Sequence, residues 1–282
     1  MYKIAYKKML NPTVGLMKIE APLIAKKALP GQFIILRTDE NGERIPLTVA
    51  ETDKKSLVTI IFQLVGATTI KLGAMNEGDY LSDFAGPLGR PSKLEGLKNV
   101  AVIGGGVGSA IAYPVAKGLH ENGAKVHIIA GFRSRDLVIL EEEFAAISDE
   151  FLIMTDDGSY GQKGLVTDAL KAIIERGENL DEVIAIGPLV MMKFVAKLAK
   201  EYNIKTTVSM NPIMVDGTGM CGCCRITVGG KTKFACVDGP DFDGFEVDFD
   251  EAMSRLSEYK VFEGNAKDHV CNLLNMKNGT VN

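Results

Sequence analysis

Histidine is scarce in this chain. Three copies, His120, His127 and His269, are scattered through 282 residues and leave no histidine near the four cysteines clustered between Cys221 and Cys236 to activate a thiol. Neither sign of charge dominates either: 32 Lys and Arg stand against 36 Asp and Glu, for a formal charge of −4, with both signs mixed throughout. A nucleic-acid partner, which needs a basic face to neutralise phosphates, is therefore not expected. No apolar run reaches membrane-spanning length, and the opening "MYKIAYKKML" has no signal-peptide core. No internal repeat or low-complexity tract is present. These absences lead to the expectation of a globular cytoplasmic protein, in which clustered cysteines serve as metal ligands or redox groups rather than disulfides.

What the sequence does contain suits two or three domains of ordinary composition, 46% hydrophobic and 24% charged, with thirty glycines for tight turns. Residues 1–96 read as all-β. Short runs such as "GLMKIEA", "GQFIILRT", "RIPLTVAE", "SLVTIIFQLV" and "DYLSDFAGPLG" are bounded by Gly, Pro, Asn or Asp, which predicts a small antiparallel barrel. Only "TTIKLGAM" hints at a helix there. From Asn99 the texture changes. "NVAVIGG", "AKVHIIAGF", "FLIMTDDGS", "EVIAIGP" and "KTTVSM" read as strands, and helical stretches such as "LVILEEEFAAI", "VTDALKAIIERG" and "VMMKFVAKLAKEYN" lie between them. That alternation predicts a five-stranded parallel sheet over 97–210. Residues 211–282 are expected to form a small cysteine-bearing module, then a helix opened by an acidic cap, and a frayed tail "NMKNGTVN".

Four of the five cysteines lie in "DGTGMCGCCRITVGGKTKFAC", Asp216 to Cys236. Asp216, Cys221, Cys224 and Cys236 follow the pattern D-x4-C-x2-C-x11-C. Plant-type 2Fe–2S ferredoxins have C-x4-C-x2-C and a distant fourth cysteine, so the match is complete if Asp216 fills the first ligand's place. A carboxylate is a harder ligand than a thiolate and favours ferric iron. Gly217, Gly219 and Gly222 free the backbone to wrap a cluster and aim amides at its sulfurs. A structural zinc held by three Cys and one Asp, and a catalytic thiol, are the alternatives. Cys223 is expected to point away from the ligands, and Cys271 to be a small buried hydrophobe.

"VIGGGVGSA", Val102 to Ala110, joins a strand to a helix, where a diphosphate meets backbone amides and the positive helix end. The fit to G-x-G-x-x-G is broken by Ser109, and no acidic residue closes the following strand. Arg133 and Arg135 stand there instead.

Taken together, the barrel, "GGGVGSA", "TDDGSYGQKGLVTD", "IGPLVMMK" and the terminal cysteine block resemble the ferredoxin–NADP reductase superfamily over essentially the full length. The chain is similar to the branch that holds the electron-transfer subunit of dihydroorotate dehydrogenase B, the sulfide dehydrogenase subunit, and the small subunit of NADH-dependent reduced ferredoxin:NADP+ oxidoreductase. An aspartate at the first ligand position resembles the last of these. The resemblance implies an FAD-binding barrel, a nicotinamide-nucleotide sheet and a 2Fe–2S module. On the barrel it assigns flavin contacts to Arg44, Pro46, Leu47 and Thr48, with Arg44 as a charge for the diphosphate, and to Val65, Gly66, Thr68 and Thr69. On the sheet it assigns the nucleotide to Gly105, Gly106, Val107 and Gly108, to Asp156, Asp157, Gly158 and Ser159, with Gly161 in the same cleft, and to Gly187 and Pro188. Ile186 replaces the cysteine that relatives carry before that last turn, and Met191 and Met192 are expected in the helix core. The nucleotide implied is NAD(H), although Arg133 and Arg135 would suit NADP(H). The activity implied is electron transfer, which needs stacking rather than a protein acid or base, so no catalytic residue is named. The partner implied is a larger NADP(H)-binding iron–sulfur flavoprotein subunit, with ferredoxin reached through that complex. A zinc-stabilised nucleotide-binding regulator is the reading from another class.

Overall fold

The computed structural model describes residues 1–277. Seven strands form the first sheet: β1 (Tyr2–Asn11), β2 (Val14–Glu20), β3 (Phe33–Arg37), β4 (Ile45–Thr52), β5 (Leu57–Gln63), β6 (Tyr80–Leu81) and β7 (Asp83–Leu88). Every neighbouring pair is antiparallel, in the order β6-β1-β2-β5-β4-β3-β7. Only Ser82 separates β6 on one edge from β7 on the other, so the chain wraps the sheet into a nearly closed barrel. Its interior is filled by Ile4, Met17, Ile34, Leu36, Ile60 and Phe62, all at most 1% exposed. The five expected runs are all strands, and "TTIKLGAM" lies within the helix Ala67–Ala74. β1 adds a strand that its lysines conceal. Ile4 faces inward, while Lys7 reaches across to cap the far end of that helix, its Nζ donating to the Gly73 and Met75 carbonyls.

The second sheet contains β8 (Asn99–Gly105), β9 (Lys125–Phe132), β10 (Glu150–Thr155), β11 (Gln162–Lys163), β12 (Glu182–Ile186) and β13 (Thr206–Ser209). It is parallel from β11 through β10, β9, β8 and β12 to β13. The five expected strands are its centre. β12 is buried at every position, which requires cover on both faces. Helices Val166–Glu175 and Leu189–Glu201 supply one face through Leu170, Ile173, Met192 and Val195. Helix Gly108–Glu121 and the short helix Glu141–Ala145 supply the other through Val115, Leu119 and Phe144. Of the run "LVILEEEFAAI", Glu141–Ala145 is α-helical and Leu137 ends a 3-10 turn, with Val138, Ile139 and Leu140 in neither. Leu140 adopts a left-handed φ of 59° and delays the helix to Glu141.

The strand order reverses between β8 and β12, so their following turns diverge and leave a crevice at the carboxyl edge. The two turns nevertheless touch, backbone against backbone. A Cβ on Gly108 would lie 2.6 Å from the Ile186 carbonyl oxygen and 2.7 Å from Gly187 Cα. Only glycine permits that approach.

Beyond β13 the cysteine segment contains a hairpin, β14 (Arg225–Val228) and β15 (Lys231–Phe234), followed by β16 (Asp241–Asp243). β16 was not expected. It pairs antiparallel with β13 and extends the second sheet to seven strands. The expected acidic cap is Asp248, whose side chain accepts from Glu251 N at 2.9 Å and opens the helix Phe249–Ser257. The last helix, Lys260–Lys277, returns to the barrel and packs on the helix Ala67–Ala74, burying Val270. The tail's last residues, 278–282, lie outside the described residues. No helix among the described residues is long and apolar enough to cross a membrane.

At the amino edge of the second sheet, away from the crevice, His127 is buried at 1% exposure between Glu150 and Asn99, at 2.7 Å and 3.1 Å. Arg176 grips both oxygens of Glu150. That grip holds the Glu150 carboxyl at a pKa of about 2, below its ordinary 4.5. Because the folded value is the lower, the carboxylate stabilises the fold above pH 4.5, and the benefit is lost as pH falls toward 2. Glu150→Gln is expected to lower the unfolding midpoint at pH 7. It should also flatten the decline of stability between pH 4.5 and 2 in acid denaturation followed by circular dichroism.

Candidate functional site

A cleft of about 1340 Å³ lies where the barrel, the carboxyl edge of the parallel sheet and the approach to the cysteine segment meet. From the barrel come Pro46, Leu47 and Thr48 of β4, with Val65 and Thr69 after β5. From the sheet come Gly105, Gly106, Val107 and Gly108 after β8, Asp156 after β10, and Gly187 and Pro188 after β12. From the third side come Met210, Asn211, Pro212 and Met214, which follow β13. Helix Gly108–Glu121 begins at this cleft with no side chain capping its first turn, so its positive end faces the opening, while Ser109 N and Ala110 N donate to the Gly106 and Val107 carbonyls of the turn.

Other residues assigned from sequence stand just outside the lining. Gly66 caps the helix Ala67–Ala74, and its amide donates to Thr69 Oγ1 at 3.0 Å. Thr68 is buried and donates to Glu43 at 3.1 Å. Asp157, Gly158 and Ser159 form a turn of their own. Asp157 accepts from Ser159 N at 2.9 Å, and Ser159 Oγ accepts from Arg135 N at 2.9 Å. The Ser159 hydroxyl first, and then its amide, hold the Asp157 carboxyl below its ordinary range. Gly161 follows at φ 61°, where a Cβ would collide with the Ile153 carbonyl. Arg44 turns the other way and donates to the backbone of Val215.

Sequence reasoning missed several cleft residues. Met191 was expected in the helix core, as Met192 is at 0% exposure. Instead Met191 lines the cleft, its sulfur packed against Gly105. Val190 and Phe194, one helical turn apart, share that edge and remain 53% and 54% exposed. Two apolar side chains left open at i,i+4 beside a glycine turn were the available sign. Arg133 lines the cleft, whereas Arg135 lies over the Tyr160 ring at 5.3 Å.

The cysteine segment is built around its hairpin. Gly229 and Gly230, with φ of 58° and 70°, make the two-residue turn that such hairpins favour. The register pairs Arg225 with Phe234, which sets Cys224 and Cys236 side by side at the open end. Their sulfurs are 3.2 Å apart, too far for a disulfide, and both residues are buried. The eleven intervening residues thus resolve into two four-residue strands, the two-residue turn and Ala235. Burial, followed by contact with Cys224, pushes the Cys236 thiol up to about 12.

Cys221 is exposed in the preceding loop. Backbone N–H groups of Cys223 and Asp216 point at its sulfur and pull its pKa down. Cys223, expected to point away from the ligands, instead touches Cys221, whose proximity raises the Cys223 thiol. Asp216 Oδ2 accepts from Thr218 N at 2.8 Å, Thr218 Oγ1 at 2.6 Å and Met220 N at 3.2 Å. Those bonds, led by the Thr218 hydroxyl, hold the carboxyl below its ordinary range and leave Oδ1 out of them. Gly217 seats the loop on the barrel at φ 84°, where a Cβ would meet Ile35 and Leu88 at 2.8 and 2.9 Å. Among the described residues no three histidine, cysteine or carboxylate side chains close on one point, so the donors do not form a single-ion site. They form a buried thiol pair and, in the preceding loop, an amide-cradled thiol; with the Asp216 carboxylate of the same loop this donor set suits a diiron–sulfur group.

Comparison with known proteins agrees with that donor chemistry. Residues 211–248 match the iron–sulfur cluster binding domain of dihydroorotate dehydrogenase B. A Clostridium beijerinckii protein, described as an uncharacterized protein in the adh 3′ region, is 53% identical over 95% of this chain and 93% of its own. The dihydroorotate dehydrogenase B (NAD(+)) electron transfer subunit homolog of Thermotoga maritima is 50% identical over 86% of each chain. A chain in the structure of the NADH-dependent reduced ferredoxin–NADP oxidoreductase, solved for insight into flavin-based electron bifurcation, matches with a TM-score of 0.90. It is 46% identical and covers 95% of this chain and 97% of that one. The chain belongs to the family of dihydroorotate dehydrogenase B electron-transfer subunits and their homologues, ferredoxin reductase-like oxidoreductases that work with a flavin, a nicotinamide nucleotide and an iron–sulfur cluster.

Proposed function

We propose that this chain moves electrons between NAD(H), FAD and a 2Fe–2S cluster. From there they pass to a larger, NADP(H)-binding iron–sulfur flavoprotein subunit of a bifurcating ferredoxin:NADP+ oxidoreductase. One observation carries the reading. A flavin-type barrel strand, the two glycine turns of the switch point and the segment leading into the cysteines line a single cleft. A reducing cytoplasm, which keeps clustered thiols free, suits it.

Each wall of the cleft has a distinct part. Pro46, Leu47 and Thr48 offer an apolar edge and one hydroxyl to the isoalloxazine, and Val65 and Thr69 flank it. Gly105 to Gly108 form the turn at the helix start that would receive the nucleotide diphosphate, with the Gly106 amide itself spent on the Gly131 carbonyl at 2.8 Å. Gly187, Pro188 and Met191 wall the nicotinamide position and exclude water. Asp156 offers ribose hydroxyls an acceptor, and Arg135 is drawn off onto Tyr160. Both favour NAD(H) over NADP(H), with Arg133 as the cation that NADP(H) would need. Bound there, the cofactors supply two-electron exchange at the nicotinamide–flavin pair and one-electron exchange at the cluster. Asp216, Cys221, Cys224 and Cys236 would hold the cluster, the paired sulfurs of Cys224 and Cys236 among them. The aspartate at the first position, and the likeness to the bifurcating structure, favour this assignment over a dihydroorotate or sulfide dehydrogenase arm.

Anaerobically purified protein is expected to carry flavin and iron, and its flavin absorbance to bleach at lower NADH than NADPH concentration. A colourless zinc protein would overturn the reading. Cys236→Ser should abolish the broad reddish absorbance and the paramagnetic signal of the reduced cluster while leaving the flavin bound. Asp216→Cys should keep a 2Fe–2S centre whose midpoint potential is measurably displaced. An unchanged potential in both Asp216→Cys and Asp216→Ala would remove the carboxylate from the ligand set.

A further inference from the structure

Arg44 directly precedes β4, the strand whose next residues line the cleft, yet its guanidinium reaches to the cysteine loop. Nε donates to the Val215 carbonyl at 2.9 Å and Nη2 to the Asp216 carbonyl at 3.4 Å, across more than 170 residues of sequence. Nη1 lies 3.5 Å from Asp83 Oδ2, and Arg37 Nε holds that same oxygen at 2.8 Å. The side chain is one-third exposed, so its charge is only partly screened. Its acceptors are two successive carbonyls and a carboxylate. A planar, forked donor meets that arrangement and a lysine does not.

Resting on the reading of Asp216 as a cluster ligand, we propose that Arg44 is a positioning residue for the cluster. It clamps the ligand loop to the flavin strand and supplies a fixed positive charge that favours the reduced cluster. The geometry separates this role from a diphosphate contact, because the donors are spent on the loop backbone outside the cleft lining. The clamp also shares its seat with Gly217, whose Cα lies against Ile35 and Leu88 of the same barrel. Reduction adds a negative charge to the cluster, and a nearby cation lowers the energy of that state.

The test compares wild-type protein with Arg44→Gln and Arg44→Lys, all purified anaerobically. FAD and iron content, cluster midpoint potential by paramagnetic-resonance titration, and the rate of iron loss to a chelator are measured. Arg44→Gln should retain FAD, shift the midpoint to more negative potential and lose iron several-fold faster. Arg44→Lys should restore the potential, because the charge remains, without restoring iron retention, because the fork is gone. Loss of FAD with an unchanged cluster potential would overturn the proposal and make Arg44 a flavin contact. An unchanged potential and retention in both variants would reduce it to a surface ion pair. Wild-type protein without iron would instead remove the reading on which the proposal rests.

Discussion

The short antiparallel pairing of β13 with β16 is the constraint on which the site depends. Thr207, Val208 and Ser209 pair with Asp243, Phe242 and Asp241, and Met210 N donates to the Pro240 carbonyl at 2.9 Å. The whole cysteine segment is therefore a loop whose two ends are sewn together at the carboxyl edge of the parallel sheet. Its first residues, from Met210 to Met214, must cross the mouth of the cleft, and Gly217 then lands on the barrel. Without that closure the cysteines would hang from a single strand end. With it, barrel, sheet and cysteine loop share one cavity.

Much of this was legible in the sequence because the relevant physics is local. The five parallel strands are runs of buried aliphatic residues between helical stretches. The glycine-rich turn after β8 stands where a strand must become a helix. Cysteine spacing was legible for the same reason, since a two-residue hairpin converts a count of residues into a distance. What escaped depended on distant partners. β16 is three residues long, "DFD", with no periodicity to detect, and only its pairing with β13 makes it a strand. β1 carries lysines whose purpose is visible only once the helix that Lys7 caps is present.

The candidate residues divide along the same line. Glycines forced by backbone contact, such as Gly108 against Ile186, announce themselves by type. Side-chain direction does not. Arg44 sits at a position where resemblance assigns a flavin contact, and nothing local says that its fork reaches Val215 instead. Met191 and Met192 are indistinguishable in sequence, yet about 100° of helical rotation puts one in the core and the other on the cleft wall.

The hairpin between Cys224 and Cys236 carries a rule of parity. Because side chains alternate faces along each strand, the segment tolerates insertions only in matched pairs, one residue added to each arm. A single added residue would swing one sulfur to the opposite face or force a bulge. Length variation in this part of the molecule is thus quantised, and the sheet-borne loops elsewhere escape that restriction.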